Sequence, residues 1–138
     1  MKAQTLIAVA IFSITGAVAA QAATPTEIQA GYAAQARQAS AGFTSFSAAR
    51  GEQFFKATHG GEWSCTSCHT ATPTSAGKHA KTGKAITPLA PSADPERFTD
   101  SARTEKWFRR NCNDVAGREC TAIEKGDVMA FLMLFGKK

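Results

Sequence analysis

Apolar residues recur along this chain with the period of a helix, and no run shows the alternation of a half-buried strand. The clearest case lies near the C-terminus. Thr121-Ala122-Ile123-Glu124 has the form of a capping box, and Val128, Phe131, Leu132 and Phe135 follow at i, i+3, i+4, i+7, predicting a last helix over 122–135 stopped by Gly136. Thr26, a Glu after it, and the apolar pair Ile28 and Tyr32 predict a first helix to about Gln38. After a connector from Ser40 to Phe46, a second helix starts near Ser47, passes through Gly51, Phe54 and Phe55 to about Thr58, and ends at Gly60 and Gly61. A third, capped by Asp100 or Ser101, runs to Arg110 and carries Trp107 and Phe108. The expected fold class is all-α, with the second and last helices crossing through Gly51, Phe55 and the apolar face of the C-terminal helix.

The segment 70–99 breaks this pattern. It holds Pro73, Pro88, Pro91 and Pro95, every proline but Pro25, so it reads as one long loop, and loops of that length usually have a task. At the other extreme, Lys2, the apolar stretch from Leu6 to Ile14 and the Ala-rich end Ala17 to Ala23 have the form of an export signal. We expect residues 1–22 to be a cleaved signal peptide and 23–138 a single domain in an oxidising, periplasmic compartment, with no stable membrane insertion. The alternative for the leader is a membrane anchor, for which its apolar core is short. With 138 residues in all, a multidomain enzyme is excluded, and 43% hydrophobic against 20% charged residues excludes disorder throughout. The formal charge of +5 falls to +4 without Lys2, too mild to imply a nucleic-acid partner.

The four cysteines form two pairs of different kind. Cys65-Thr66-Ser67-Cys68-His69 is a C-x-x-C-H segment, the attachment signal for haem c. Two thiols three positions apart add to the two vinyl groups of one porphyrin edge, and the next residue brings its imidazole beneath the iron. Cys65 and Cys68 are therefore the candidate thioethers and His69 the candidate proximal ligand of one covalent haem c, with the long loop wrapping the porphyrin edge. A redox dithiol or half of a zinc site compete, but the βαβ context of the first and the second knuckle of the other are missing from the sequence. Cys112 and Cys120, the leftover pair in an exported chain, read as a disulfide.

The distal ligand is not fixed by spacing. The stretch between the haem motif and the last helix contains no Met; Met129 and Met133 sit inside that helix, where Met is commonly core filler. His59 is tethered six residues before Cys65, and His79 lies in the basic run Lys78-His79-Ala80-Lys81. An open or weakly ligated iron remains a contender.

The haem motif, the loop Thr82-Gly83-Lys84-Ala85-Ile86-Thr87-Pro88-Leu89-Ala90-Pro91, the segment Arg97-Phe98-Thr99-Asp100 and the run Arg110-Asn111-Cys112-Asn113-Asp114 together resemble the sphaeroides haem protein family and its cytochrome c double-prime branch. The likeness covers nearly the whole mature chain from about Glu27. It implies a cytochrome c-like single domain around one haem. In that family the residue before the first disulfide cysteine is the distal ligand, Asn in one branch and His in the other, which implies Asn111 here and Cys112 with Cys120 as the disulfide. Asn113 is the nearby carboxamide rival. The resemblance further implies a periplasmic electron-transfer protein that binds O2 or another small diatomic ligand, with a dihaem c-type or membrane b-type cytochrome as redox partner. A plain electron shuttle is the alternative, and Lys78, Lys81 and Lys84, with no acid between Glu62 and Asp94, are then a docking patch or simply a solvated loop. A third reading is a small-molecule reductase or peroxidase with His79 as distal acid-base group, or Arg109 and Arg110 holding an anion. No dedicated catalytic residue is assigned.

Overall fold

The computed structural model of the chain describes residues 22–135. The leader through residue 21 and the expected helix stop Gly136 lie outside that range. In chain order the elements are α1 (Pro25–Ala39), α2 (Ala48–Lys56), α3 (Thr66–His69), β1 (Gly77–Lys78), β2 (Ala85–Ile86), α4 (Ser101–Ala116) and α5 (Ala122–Met133).

Local chemistry sets most of the boundaries. Thr24 caps α1: its hydroxyl accepts from Glu27 N while the Glu27 carboxylate accepts from Thr24 N at 2.7 Å, and Pro25 follows at the first helical position. The same reciprocal box, Thr121 with Glu124, opens α5. Asp100 caps α4 by accepting from Arg103 N at 2.8 Å.

Four sequence expectations shift. Helix α1 begins one residue before Thr26, because the capping box is formed by Thr24. Helix α2 stops at Lys56, two residues early, because Ala57 is already extended and His59 takes a positive φ before Gly60. Helix α4 does not end at Arg110 but continues through Asn111 and Cys112 to Ala116, since the first residue able to stop it cheaply is Gly117 at φ 65°. Helix α5 ends at Met133, with Leu134 and Phe135 in a turn. The long loop also contains a small antiparallel hairpin, pairing Gly77 with Ile86 and Lys78 with Ala85. Two-residue strands are too short to show an alternating pattern.

The predicted crossing of α2 and α5 is present and close. A Cβ on Gly51 would lie 1.9 Å from the Asp127 carbonyl oxygen, so the two backbones touch where only glycine fits. Beside the contact the buried Asp127 carboxylate accepts from Arg50 Nε at 2.7 Å, from Arg50 Nη2 at 2.9 Å and from Ser47 N at 2.6 Å. Both oxygens of a desolvated charge are thus engaged, which is the condition for tolerating it. Phe55, Val128, Phe131 and Leu132 form the apolar core on one side of the crossing, and Ile28, Tyr32 and Met129 a second cluster beneath α1.

Gly51→Ala tests the contact. A helical Gly-to-Ala change ordinarily stabilises, but here overpacking against backbone is expected to cost about 1–3 kcal/mol. Denaturant unfolding of the holoprotein reads it, and a stabilised variant would contradict the crossing.

Candidate functional site

Cys65 to Thr70 makes a single helical turn, with His69 N bonded to Cys65 O at 2.9 Å and Thr70 N to Thr66 O at 3.0 Å. In one turn, residues i, i+3 and i+4 share a face, so Cys65, Cys68 and His69 point the same way. The turn is braced before it by the buried Ser64, whose hydroxyl is 2.6 Å from Thr66 Oγ1 and whose N–H donates to Ser67 Oγ at 3.0 Å. It stops at Thr70, φ 62°. The hairpin lies on it: a Cβ on Gly77 would meet Cys68 O at 2.1 Å, and Ala80 N–H donates to Cys68 Sγ at 3.3 Å.

This face opens onto a cavity of about 920 Å³. One wall is the α2–α5 core, through Phe55, Val128 and Leu132; the loop supplies Ile86, Leu89, Arg97 and Phe98. The remaining wall is α4. Thr104, Phe108, Asn111 and Val115, at i, i+4, i+7, i+11, all line the cavity. A space at the top of the range for cofactor pockets, mostly apolar, with two unpaired thiols and an imidazole on one edge, fits one haem c. Cys65 and Cys68 would hold it covalently and His69 would ligate its iron.

The electrostatics suit that use. Burial, reinforced by the Arg97 cation, lowers the His69 pKa to about 4, so the ring is the neutral imidazole a metal needs. Burial pushes the Cys65 thiol up to about 12, so at neutral pH it is an inert SH rather than a reactive thiolate. Arg97, which spacing alone did not single out, ties the loop together, donating to Pro88 O at 2.8 Å and Thr87 O at 3.0 Å and pairing with Asp94 at 3.1 Å. Only its membership in the Arg97-Phe98-Thr99-Asp100 segment pointed to it.

The distal candidates separate. Met129 is fully buried in the second core cluster, and Met133 does not line the cavity. His59 is turned back on its own helix, its Nε2 donating to Phe54 O at 2.9 Å and its ring 4.1 Å from the Phe54 ring. His79 lines the cavity, but its Nδ1 accepts from Lys81 N and Thr82 N at 3.3 Å, which makes it the turn-former of the hairpin. Asn113 is exposed and donates to Arg109 O at 2.8 Å. Asn111 faces the cavity, and its carboxamide makes no hydrogen bond among the described residues. Arg110 lies 5.6 Å above the half-exposed Trp107 ring, and Arg109 is exposed. Lys78, Lys81 and Lys84 are exposed on the hairpin, with Lys81 Nζ 4.7 Å above Trp63. Among the described residues no three His, Cys, Asp or Glu converge, so Cys65 and Cys68 lack the further side chains of a zinc site. None of the described helices is long and apolar enough to cross a membrane. Cys112 and Cys120 stand at bonding distance, Cα atoms 5.6 Å apart, directly beside Asn111.

A family model described as a domain of unknown function (DUF1924) matches residues 41–132. The cytochrome c-type protein SHP of Cereibacter sphaeroides is 48% identical over 123 residues, 86% of this chain and 90% of that protein. Cytochrome c'' of Methylophilus methylotrophus is 44% identical over 79 residues, 57% of this chain and 55% of that one. Among solved structures, oxidised SHP, described as an oxygen-binding cytochrome c, matches with TM-score 0.72 and 49% identity, covering 80% of this chain and 96% of that. Oxidised cytochrome c'' matches with TM-score 0.72 and 36% identity over 82% of this chain and 95% of that.

The pair beside Asn111 generates a prediction. Replacing Cys112 and Cys120 by Ser should lower stability by about 2–3 kcal/mol, the loop-closure value for so short a loop. Urea unfolding measures it, and an unchanged midpoint would mean that the two cysteines are not bonded in solution.

Proposed function

The chain belongs to the family of SHP and cytochrome c'', c-type cytochromes with one covalent haem c, and on that premise we propose that it is a periplasmic electron-transfer protein that binds a small diatomic ligand when reduced. Cys65 and Cys68 are the thioethers, His69 the proximal ligand and Asn111 the distal ligand. When bound, the haem would supply an iron that changes between ferric and ferrous and can exchange a ligand. Asn111 offers it a carboxamide oxygen, a hard and neutral donor better matched to ferric than to ferrous iron. On reduction the side chain withdraws, while Cys112, fixed to Cys120, holds the α4 backbone in place. Phe108 and Leu132 are among the apolar residues that line the cavity, a setting suited to uncharged O2, CO or NO. The observation that carries this reading is the contrast between the two carboxamides: Asn111 faces the cavity and Asn113 is spent on its own helix. The SHP structure, described as an oxygen-binding cytochrome c, supports the ligand class.

Export is inferred from the leader-like segment and from a cysteine pair at bonding distance. The donor is a cytochrome, dihaem c-type or membrane b-type. A plain electron shuttle is the second reading, favoured by one observation. The hairpin that bears Lys78, Lys81 and Lys84 is seated on Cys68, which puts a basic surface at the attachment edge.

Optical spectra decide between the two. The ferric protein should be six-coordinate, become high-spin on reduction and take up CO at once. Asn111→Val should keep its covalent haem yet lose the ferric sixth ligand; an unchanged ferric spectrum would overturn the assignment. For the shuttle, Lys78→Glu, Lys81→Glu and Lys84→Glu together should abolish the salt dependence of reduction by an acidic protein donor between about 10 and 150 mM ionic strength. Identical salt profiles for variant and parent would remove the docking face.

A further inference from the structure

One polar cluster lies outside the cavity and is used by nothing above. Lys125 on α5, 6% exposed, extends its ammonium to Glu105 Oε1 on α4 at 2.5 Å, and Tyr32 on α1 donates its hydroxyl to Glu105 Oε2 at 2.9 Å. The Lys125 Nζ also sits 5.6 Å above the Tyr32 ring. Burial works to raise the Glu105 pKa, but the two hydrogen bonds and the charges of Lys125 and Arg109 outweigh it and hold the carboxyl below its ordinary value. Both carboxylate oxygens are therefore occupied from two different helices.

Helix α4 has two working faces. The face toward the cavity carries Thr104, Phe108, Asn111 and Val115. Beside it stand Glu105 and Cys112, seven residues and two turns apart, each tied to another part of the chain, Glu105 outside the cavity and Cys112 at its border. Phe108 adds an edge-on contact with the Tyr32 ring at 5.8 Å. Asn111 therefore lies between two anchors on one rigid rod. Cys112 stops the helix from moving away, and Glu105, about 10.5 Å up the axis, stops it from turning or sliding about that point.

We infer that Tyr32, Glu105 and Lys125 are positioning residues that fix the rotation of α4 and thereby set how firmly the Asn111 carboxamide holds the distal position. This rests on Asn111 being that ligand. A weak donor gives little energy with which to correct a misplaced helix, so its grip depends on the scaffold delivering it within reach. Loosening the anchor speeds ligand exchange without touching the haem.

The test is a double-mutant cycle on the ferric holoprotein, read by the rate of cyanide binding, which must displace the distal ligand. Lys125→Met keeps the length of the buried stem and removes the charge. It should bind cyanide about tenfold faster than the parent, within the range for residues of one network, and Lys125→Arg should restore most of the parent rate. In an Asn111→Val background, Lys125→Met should change nothing. An equal acceleration in both backgrounds, or none in the parent, would overturn the positioning role. If Asn111→Val alone left spectrum and cyanide rate unaltered, the ligand assignment itself would fall, a different result from either. Should Lys125→Met yield no holoprotein, Tyr32→Phe removes only the hydroxyl and is read in the same cycle, with the same directions expected and the same two results overturning it.

Discussion

Everything in this fold is referred to the point where α2 and α5 touch. Gly51 lets the backbones meet at Asp127, and the Asp127 carboxylate, gripped by Arg50 and Ser47, prevents the helices from sliding. With the crossing fixed, Phe55, Val128 and Leu132 form a rigid apolar wall. A small protein that must leave a 920 Å³ space for a cofactor cannot rely on a continuous core, because the space interrupts it. It needs one dense contact from which the other walls are hung.

The other walls are hung by polar and covalent ties. The haem-motif turn is braced by Ser64 and roofed by the hairpin through Gly77 and Ala80. The loop from Thr87 to Phe98 is gathered by Arg97, which satisfies two carbonyls and a carboxylate at once. Helix α4 is held by Glu105 at one end of its buried face and Cys112 at the other. Ser64, Ala80, Arg97 and Cys112 among these ties border the cavity themselves, yet its lining stays mostly apolar and open to a flat ring.

Much of this was legible in the residues. The capping boxes, the 3.6-residue period of the last helix and the small residue at Gly51 are local signals, and the structure follows them to within a few positions. What was not legible is non-local. Asn, Cys and Asp between Arg110 and Gly117 are indifferent helix formers, so propensity marked neither an end nor an interior before the stop at Gly117. The hairpin was hidden by its two-residue strands. Nothing local marks Lys125 as buried, because its partner is 20 residues away on another helix. Spacing left Met, His and an open iron as distal candidates; only a family likeness pointed to Asn111, and the cavity then separated it from Asn113.

The extension of α4 bears on the proposed role of Asn111 as a weak distal ligand. A carboxamide on a loop would be free to follow the iron or to leave it, and its affinity would include the entropy of ordering that loop. Asn111 instead projects from the middle of a sixteen-residue helix pinned on both sides of it, so only the side-chain torsions remain to be chosen. On the proposed assignment, attachment and release would differ by a rotamer rather than by a rearranged backbone, which would make exchange fast and repeatable. The same rigidity means that the strength of the contact is adjustable from outside the cavity, by residues that never meet the haem. A protein that must hold a site closed in one oxidation state and open it in the other gains from separating the ligand, which can stay weak, from the scaffold, which must not.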